Sequence, residues 1–305
     1  MKICIVGASG YIGSSLRSYF LASGIEVVCF SSSKISKSYN YTDLEDIDKC
    51  VEILSDVDTL FYLCSPDHQE TENDPGNSVN IVLSNLGHIL NAKKKLSNLK
   101  IVYFSTAQIF NAVPQEETIT DQTNNAPNNY YGLFHVYGEN MLNYFREKYN
   151  NSDLVSLRLT NSYGFLCSQT SKWRAPVVNE LISSAHEKGL ITMQSDGSPF
   201  RDFIEMSALI ETCARLVNAN EVPRNLIVGS GVTINISYIA TSIQNVFSTK
   251  YGKKITINTN GKIMESKIKP SPRYMVDGYF CEKQSASEID ELLKKAILDY
   301  ERFIK

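Results

Sequence analysis

Nothing in these 305 residues approaches the ~20 consecutive apolar positions that span a bilayer. The chain opens directly on a short β-branched run, with neither a basic region nor a small-residue cleavage site, so secretion is not expected. Charge of either sign is nearly balanced, and a net of −3 offers no field to attract nucleic acid or an anionic membrane. Histidine is scarce. The four present (His68, His88, His135, His186) make no zinc-like pair, which argues against a catalytic metal. The seven cysteines form no C-x-x-C, and an odd, scattered set fits buried thiols in a reducing cytoplasm. Internal repeats and low-complexity tracts are lacking too. What remains is 43% hydrophobic and 21% charged, the composition of a soluble enzyme long enough for one large α/β unit with a smaller companion.

The most informative stretch that is present runs from Lys2 to Gly13. An apolar β-branched run ends in a glycine turn, and a helical pattern (Ile12, Leu16, Phe20) follows at once. Glycine tolerates positive φ and lets backbone approach a ligand, while the next helix offers unpaired N–H groups to an anion. A strand, such a turn and a helix make a pyrophosphate cradle for a dinucleotide, here with Gly7, Ser9, Gly10, Tyr11, Ile12 and Gly13 as candidate contacts. The spacing Gly7, Gly10, Gly13 departs from G-x-G-x-x-G, and three glycines can also make no more than a tight connection. The strand-first context favours the cofactor.

Strand-like runs at 26–30, 59–64, 101–105 and 154–159 alternate with helical patterns at 81–95 and 131–149. That alternation predicts a doubly wound parallel sheet with helices on both faces and ligands beyond its carboxyl edge. Two polar stretches, 65–77 and 111–129, follow strands at that edge and read as site-lining loops. After about Gly164 the alternation loosens, with a helix near 176–188 and a turn at 195–199. The division expected is a dinucleotide-binding domain over 1–164, with a segment around 201–230 packing back onto it, and a smaller mixed α/β domain over 165–305. Ser285-x-x-Glu288 resembles a capping box before an apolar stripe of Ile289, Leu292, Leu293, Ala296, Ile297 and Tyr300.

Ser105-Thr106 ends one strand, and Tyr131-Gly132-Leu133-Phe134-His135 opens a helix. With the glycine turn, Asp43-Leu44, Asp58, Asn80, Pro127, Glu139, the run Arg158, Asn161, Tyr163, Gly164, and Arg201-Asp202-Phe203, the chain resembles the extended short-chain dehydrogenase/reductase family, in its nucleotide-sugar branch. The resemblance implies a Rossmann-type fold and a mechanism in which Tyr131 exchanges a proton with the sugar oxygen. Thr106 would hydrogen-bond that oxygen, and His135 would stand where the family has lysine. Imidazole is shorter than lysine and largely neutral at pH 7, so it supports a tyrosinate less. The other reading of His135 is a passive replacement in a weakened site.

The resemblance also implies that Asp43 and Leu44 hold the adenine and that Leu63, Cys64 and Ser65 line the cofactor. Asn161, Arg201 and Arg273 would bind substrate beside Thr106, with Arg201 on the diphosphate; Lys172 and Arg174 are further candidates, and Cys167 reads as a spectator thiol. The second strand is followed by Ser31, Ser32, Ser33 and Lys34 with no acid, which suits the 2′-phosphate of NADP better than NAD. Where the family's dehydratases carry an acid pair this chain has Ala107-Gln108, which disfavours water elimination. The expectation is an NADPH-dependent reductase of a nucleoside-diphosphate-linked keto-sugar, with the carbonyl expected at C4, in bacterial-type surface-polysaccharide synthesis. The alternatives are an NAD-dependent 4-epimerase or a silent nucleotide-sugar or dinucleotide binder. A homodimer is expected through helices at 80–95 and 131–149; Ile81, Leu83, Leu90 and Phe145 offer apolar contacts there, and ordinary core packing explains some of them equally well.

Overall fold

The computed structural model describes residues 1–31, 38–166, 176–269 and 273–304. The glycine-led opening forms β1 (Lys2–Val6), α1 (Tyr11–Ala22) and β2 (Glu26–Phe30). Next come β3 (Ser38–Tyr39), α2 (Ile47–Leu54), β4 (Thr59–Tyr62), α3 (His68–Asn73), α4 (Pro75–Lys93), β5 (Lys100–Thr106), α5 (Tyr130–Lys148) and β6 (Leu154–Leu159). Ile3 to Val6 are fully buried, as are Leu60 and Phe61. Strands covered on both faces need apolar side chains at every position, which is why they appear in the sequence as unbroken runs rather than as alternation.

The second half contributes β7 (Asn161–Tyr163), α6 (Val177–Lys188), β8 (Leu190–Thr192), β9 (Phe200–Glu205), α7 (Met206–Asn218) and β10 (Asn225–Val228). It ends with β11 (Thr233–Asn235), α8 (Ile236–Tyr251), β12 (Thr256–Asn258) and α9 (Ala286–Phe303). Seven strands make one sheet in the order β10-β6-β5-β4-β1-β2-β3, and β1 pairs in parallel with both β2 and β4. The order therefore reverses between β1 and β4, where open parallel sheets bind ligands.

The chain forms two compact units. One holds Met1–Pro114, Asp121–Leu159 and Cys213–Ile227; the other holds Gln115–Thr120, Thr160–Thr212 and Val228–Lys305. The core of the first is built on Cys4, Val6, Phe30, Leu60, Tyr62, Ile101 and Tyr103. In the second, α9 lays Ile289, Leu293, Ala296, Ile297 and Tyr300 against Ile182, Phe203, Ile243 and Phe247. Its start is the reciprocal capping box of Ser285 and Glu288 that the sequence suggests.

Two expectations need correction. The stretch 65–77 is not a plain loop: it contains α3 and the first turn of α4. Asp67 accepts from the Glu70 amide at 2.8 Å while the Glu70 carboxylate accepts from the Asp67 amide at 3.2 Å. Asp74 then caps α4 with Pro75 at its first position. A six-residue helix is too short to show an apolar period, so capping chemistry was its only signal. Of the four apolar contacts expected between subunits, Leu90 and Phe145 are 6% and 5% exposed and belong to this unit's own core. Among the described residues no helix is long and apolar enough to cross a membrane.

Candidate active site

The turn after β1 is shaped by its glycines. Gly7 sits at φ +96, and its amide and that of Ala8 both donate to the Phe30 carbonyl, at 3.0 and 3.2 Å. A Cβ at Gly13 would collide with the Gly7 carbonyl oxygen, so only glycine lets α1 pack this closely on the turn. Gly10 is the N-cap of α1; no side chain caps it and no acid occupies the first turn. The positive end of the helix is thus left unopposed by protein charge, which is the environment a pyrophosphate needs. Ser9, Tyr11 and Ile12 lie in the same turn, each partly exposed.

Asp43 sits in a short 3-10 turn and is already engaged. Its Oδ2 accepts from the Asn40 amide at 2.8 Å and its Oδ1 from Lys49 Nζ at 2.7 Å. The Lys49 ammonium holds its carboxyl below the usual range. Leu44 beside it is fully buried. Leu63 and Ser65 are partly exposed beyond the end of β4, and Cys64 is buried with Asn85 Nδ2 3.8 Å from its sulfur. Ser31 follows β2 and is buried, its amide donating to the Tyr39 carbonyl at 3.1 Å. Ser32, Lys34, Cys167, Lys172 and Arg174 lie outside the described residues.

The reacting end is assembled from β4, β5 and α5. Thr106 closes β5, 8% exposed, and its Oγ1 accepts from the Gln108 amide at 3.2 Å. Asn129 caps α5 through the Gly132 amide at 2.7 Å, and its Nδ2 donates to Gln108 Oε1 at 3.0 Å. That pair of bonds ties the start of α5 to the turn leaving Thr106. Tyr131 and His135, one helical turn apart, meet edge to face with ring centroids 4.7 Å apart. His68 also meets Tyr131 edge to face, with ring centroids 6.0 Å apart, and Glu72 Oε1 accepts from the Tyr131 amide at 3.2 Å.

Electrostatics follow from burial. Tyr131 keeps part of its surface exposed, yet desolvation and then the nearby Asp67 charge push its phenol up to about 12. His135 is 3% exposed, and burial pushes its imidazole down to about 4. Its Nδ1 lies 3.0 Å from the Tyr103 hydroxyl and its Nε2 3.4 Å from Ser65 Oγ. At neutral pH the phenol is therefore protonated and the imidazole uncharged. One turn further along α5, Glu139 is buried in an ion pair with Arg158 (2.9 and 3.2 Å) and accepts from Ser105 Oγ at 2.6 Å. This cluster clamps α5 onto β5 and β6.

Tyr103, Gly138, His68, Asp67 and Glu72 were missed in the sequence. Tyr103 looks like any aromatic in an apolar strand, and only the spacing Tyr131, His135, Gly138 hinted that something bulky crosses α5 there.

Of the remaining sequence candidates, Asn161 and Arg201 lie on β7 and β9 of the small sheet β11-β9-β7 of the other unit, Arg273 lies outside its strands, and Asn80 is on α4. Asn161 Nδ2 donates to the Asp202 carbonyl at 2.9 Å, and Arg201, exposed, donates to the Phe200 carbonyl at 2.8 Å. Arg273 is 6% exposed, with its amide on Thr233 Oγ1 at 2.6 Å and Nη1 on the Glu117 carbonyl at 2.9 Å. Asn80 turns its amide back to the Gly76 carbonyl at 3.2 Å. Among the described residues no cluster of three His, Cys, Asp or Glu is placed to hold a metal.

A seven-stranded parallel sheet, a glycine cradle on its first strand and a tyrosine-led helix at the exits of β4 and β5 define a nucleotide-dependent enzyme of the extended short-chain dehydrogenase/reductase type. Comparison with known proteins agrees. The chain belongs to the NAD dependent epimerase/dehydratase family, whose model matches residues 3–229. Among solved structures it is similar to MoeE5 in complex with UDP-glucose and NAD, at 16% identity over 100% of both chains with a TM-score of 0.79. It is likewise similar to a mutant UDP-glucuronic acid 4-epimerase from Bacillus cereus, bound to UDP-4-deoxy-4-fluoro-glucuronic acid and NAD, at 18% identity over 99% of both chains and a TM-score of 0.79. At these identities the likeness is one of fold. A curated relative, a proposed LysW-L-2-aminoadipate/LysW-L-glutamate phosphate reductase from Pyrobaculum aerophilum, is 34% identical over 71 residues. That match spans 20% of this chain and 20% of that one.

Proposed function

We propose that this protein is an NADPH-dependent reductase of a nucleoside-diphosphate-linked keto-sugar, with the carbonyl at C4. The observation that carries the reading is the protonation state of the pair on α5. Tyr131 is a phenol held up to about 12, beside a buried imidazole held down to about 4. A phenol without a neighbouring cation is a proton donor rather than a base. Reduction of a ketone needs a donor at the nascent alkoxide, whereas an epimerase must begin by removing a proton from an alcohol.

When bound, the nicotinamide supplies hydride. Gly7, Ser9, Gly10, Tyr11, Ile12 and Gly13 would hold the pyrophosphate, Asp43 and Leu44 the adenine end, and Leu63, Cys64 and Ser65 the strand edge beside it. Tyr131 gives its proton to the sugar oxygen while Thr106 orients that oxygen, and the one N–H of His135, which faces Ser65 in the ligand-free protein, would be shared with the ribose. Arg201 is assigned the diphosphate, with Asn161 and Arg273 beside the rest of the substrate. NADPH is preferred on the lack of an acid in Ser31–Lys34. Gln108, turned to Asn129, leaves no acid pair after Thr106 for water elimination.

A second reading, an NAD-dependent 4-epimerase, is favoured by the NAD carried by both structural neighbours. A homodimer through α4 and α5 is part of the proposal. A groove of about 480 Å³ there is lined by Leu83, Gly87, Met141, Tyr144 and Lys148, and Tyr144 is 66% exposed. Light scattering should give twice the chain mass. A cytoplasmic setting suits the six described cysteines, all of them buried thiols.

The deciding experiment incubates nucleotide-free protein with NADPH or NADH and nucleotide-linked 4-keto-sugars. NADPH should be consumed in step with product and more readily than NADH. Interconversion of two ordinary nucleotide hexoses without added cofactor establishes the epimerase instead, and binding without turnover establishes a silent protein.

A further inference from the structure

The His135 imidazole is held by a directed chain of hydrogen bonds, and its direction can be worked out from the chain's far end. A carbonyl oxygen only accepts, and Ser65 Oγ lies 2.9 Å from that of Pro66, so the Ser65 hydroxyl donates its proton there. Ser65 Oγ is then left to accept at 3.4 Å from Nε2 of His135. With the proton on Nε2, the neutral ring presents a lone pair at Nδ1, and the Tyr103 hydroxyl at 3.0 Å donates to it. Tyr103 is 1% exposed and stacks on Tyr62 at 5.9 Å, so its ring is fixed independently of His135. Its hydroxyl reaches the imidazole only because residue 138 is glycine: a Cβ there would overlap the hydroxyl oxygen and the ring carbon that bears it.

We infer that Tyr103, admitted by Gly138, is a positioning residue that locks His135 as the neutral Nε2–H tautomer and aims that N–H at the end of β4, beside Ser65. The lock supplies a single oriented donor without a positive charge. Tyr103 stays a donor because burial first, and then the Glu139 charge, keep its phenol far from ionising. The lock works in the ligand-free protein and through residues of β4, β5 and α5 alone. Its consequence for catalysis rests on the reading of Tyr131 as the proton donor, because an uncharged His135 leaves that phenol unassisted.

The test uses full-length, ligand-free protein labelled with 15N at histidine, with His135 assigned by its loss in His135→Gln. Two-bond 15N–1H correlations at neutral pH should show His135 protonated at Nε2 and bare at Nδ1. In Tyr103→Phe, which keeps the ring and loses the donor, the two nitrogens should move towards averaged values. NADPH affinity by fluorescence titration should weaken about two- to tenfold, the worth of one hydrogen bond. A proton on Nδ1 in the parent, or an unchanged His135 spectrum in Tyr103→Phe, overturns the inference. If Tyr103→Phe does not fold, the parent spectrum alone decides where the proton sits. The spectrum needs no turnover, so a locked Nε2–H tautomer without carbonyl reduction would sink the reductase reading and leave the lock standing.

Discussion

The glycine turn after β1 and the Tyr131–His135 pair on α5 flank one sheet, yet they are built in opposite ways. The turn is made of backbone. Gly7 takes a positive φ, Gly10 opens α1 without a cap, and Gly13 lets the helix sit against the Gly7 carbonyl. The pair is made of side chains whose properties come from elsewhere: Tyr103 on β5, Ser65 after β4, Asp67 before α3. A backbone device depends on main-chain atoms, here the Gly7 and Phe30 carbonyls, so it is insensitive to most side-chain changes around it. A side-chain device depends on the environment, and one substitution, histidine for the family's lysine, alters what the tyrosine can do.

Three substitutions sharpen that contrast. The largest effect is expected of Tyr131→Phe, which keeps the ring and removes the transferable proton. Turnover should fall by about 10²- to 10⁴-fold with cofactor affinity retained. Full activity in this variant would remove the α5 pair from the chemistry.

His135 gives the next effect, through pH. Its imidazole titrates near 4 in the fold against 6.5 ordinarily, so between those values the unfolded chain takes up a proton that the native state refuses. Stability should fall as pH drops through that window, by about 3 kcal/mol in all, and be independent of this group above about pH 7.5. Asp202, pushed up to about 6 by burial, acts in the other direction, losing stability as pH rises from the ordinary carboxylate range through 6. It is common to both proteins, so denaturant midpoints of the parent minus those of His135→Gln isolate the histidine. A difference that does not change between pH 7.5 and 5 would show that the ring is not buried neutral.

Gly13→Ala should act on the other device. The added methyl meets the Gly7 carbonyl oxygen, and overpacking of this kind costs about 1–3 kcal/mol. Cofactor titration and thermal unfolding should both register it, while the His135 spectrum stays as in the parent. If that spectrum changed, the two regions would not be separable.

The difference also explains what could be read in advance. Glycine spacing and the buried runs of β1, β4, β5 and β6 translate directly into backbone, because each conformational demand admits few residue types. Tyr131, Thr106 and His135 were legible through a motif. The neighbours that set their chemistry were not, since Tyr103 lies 32 positions from His135 and carries no local mark. Helix α3 escaped because its polar residues serve caps, and Asp43 shows one acid fitting two patterns, a cofactor contact and the capping box with Asn40. The cysteines were easier: scattered along the chain without C-x-x-C spacing, those described are buried thiols.

The central claim is that Tyr131 works as an acid, and the direction of hydride transfer tests it most directly. Single-turnover rates of carbonyl reduction and of alcohol oxidation can be followed by nicotinamide absorbance, with one nucleotide-linked keto-sugar and its alcohol, between pH 7 and 9. A phenol titrating near 12 predicts a flat reduction rate. The oxidation rate should climb about tenfold per pH unit as the tyrosinate fraction grows. An oxidation rate already flat across that range would mean that tyrosinate is present at neutral pH, and would contradict the account.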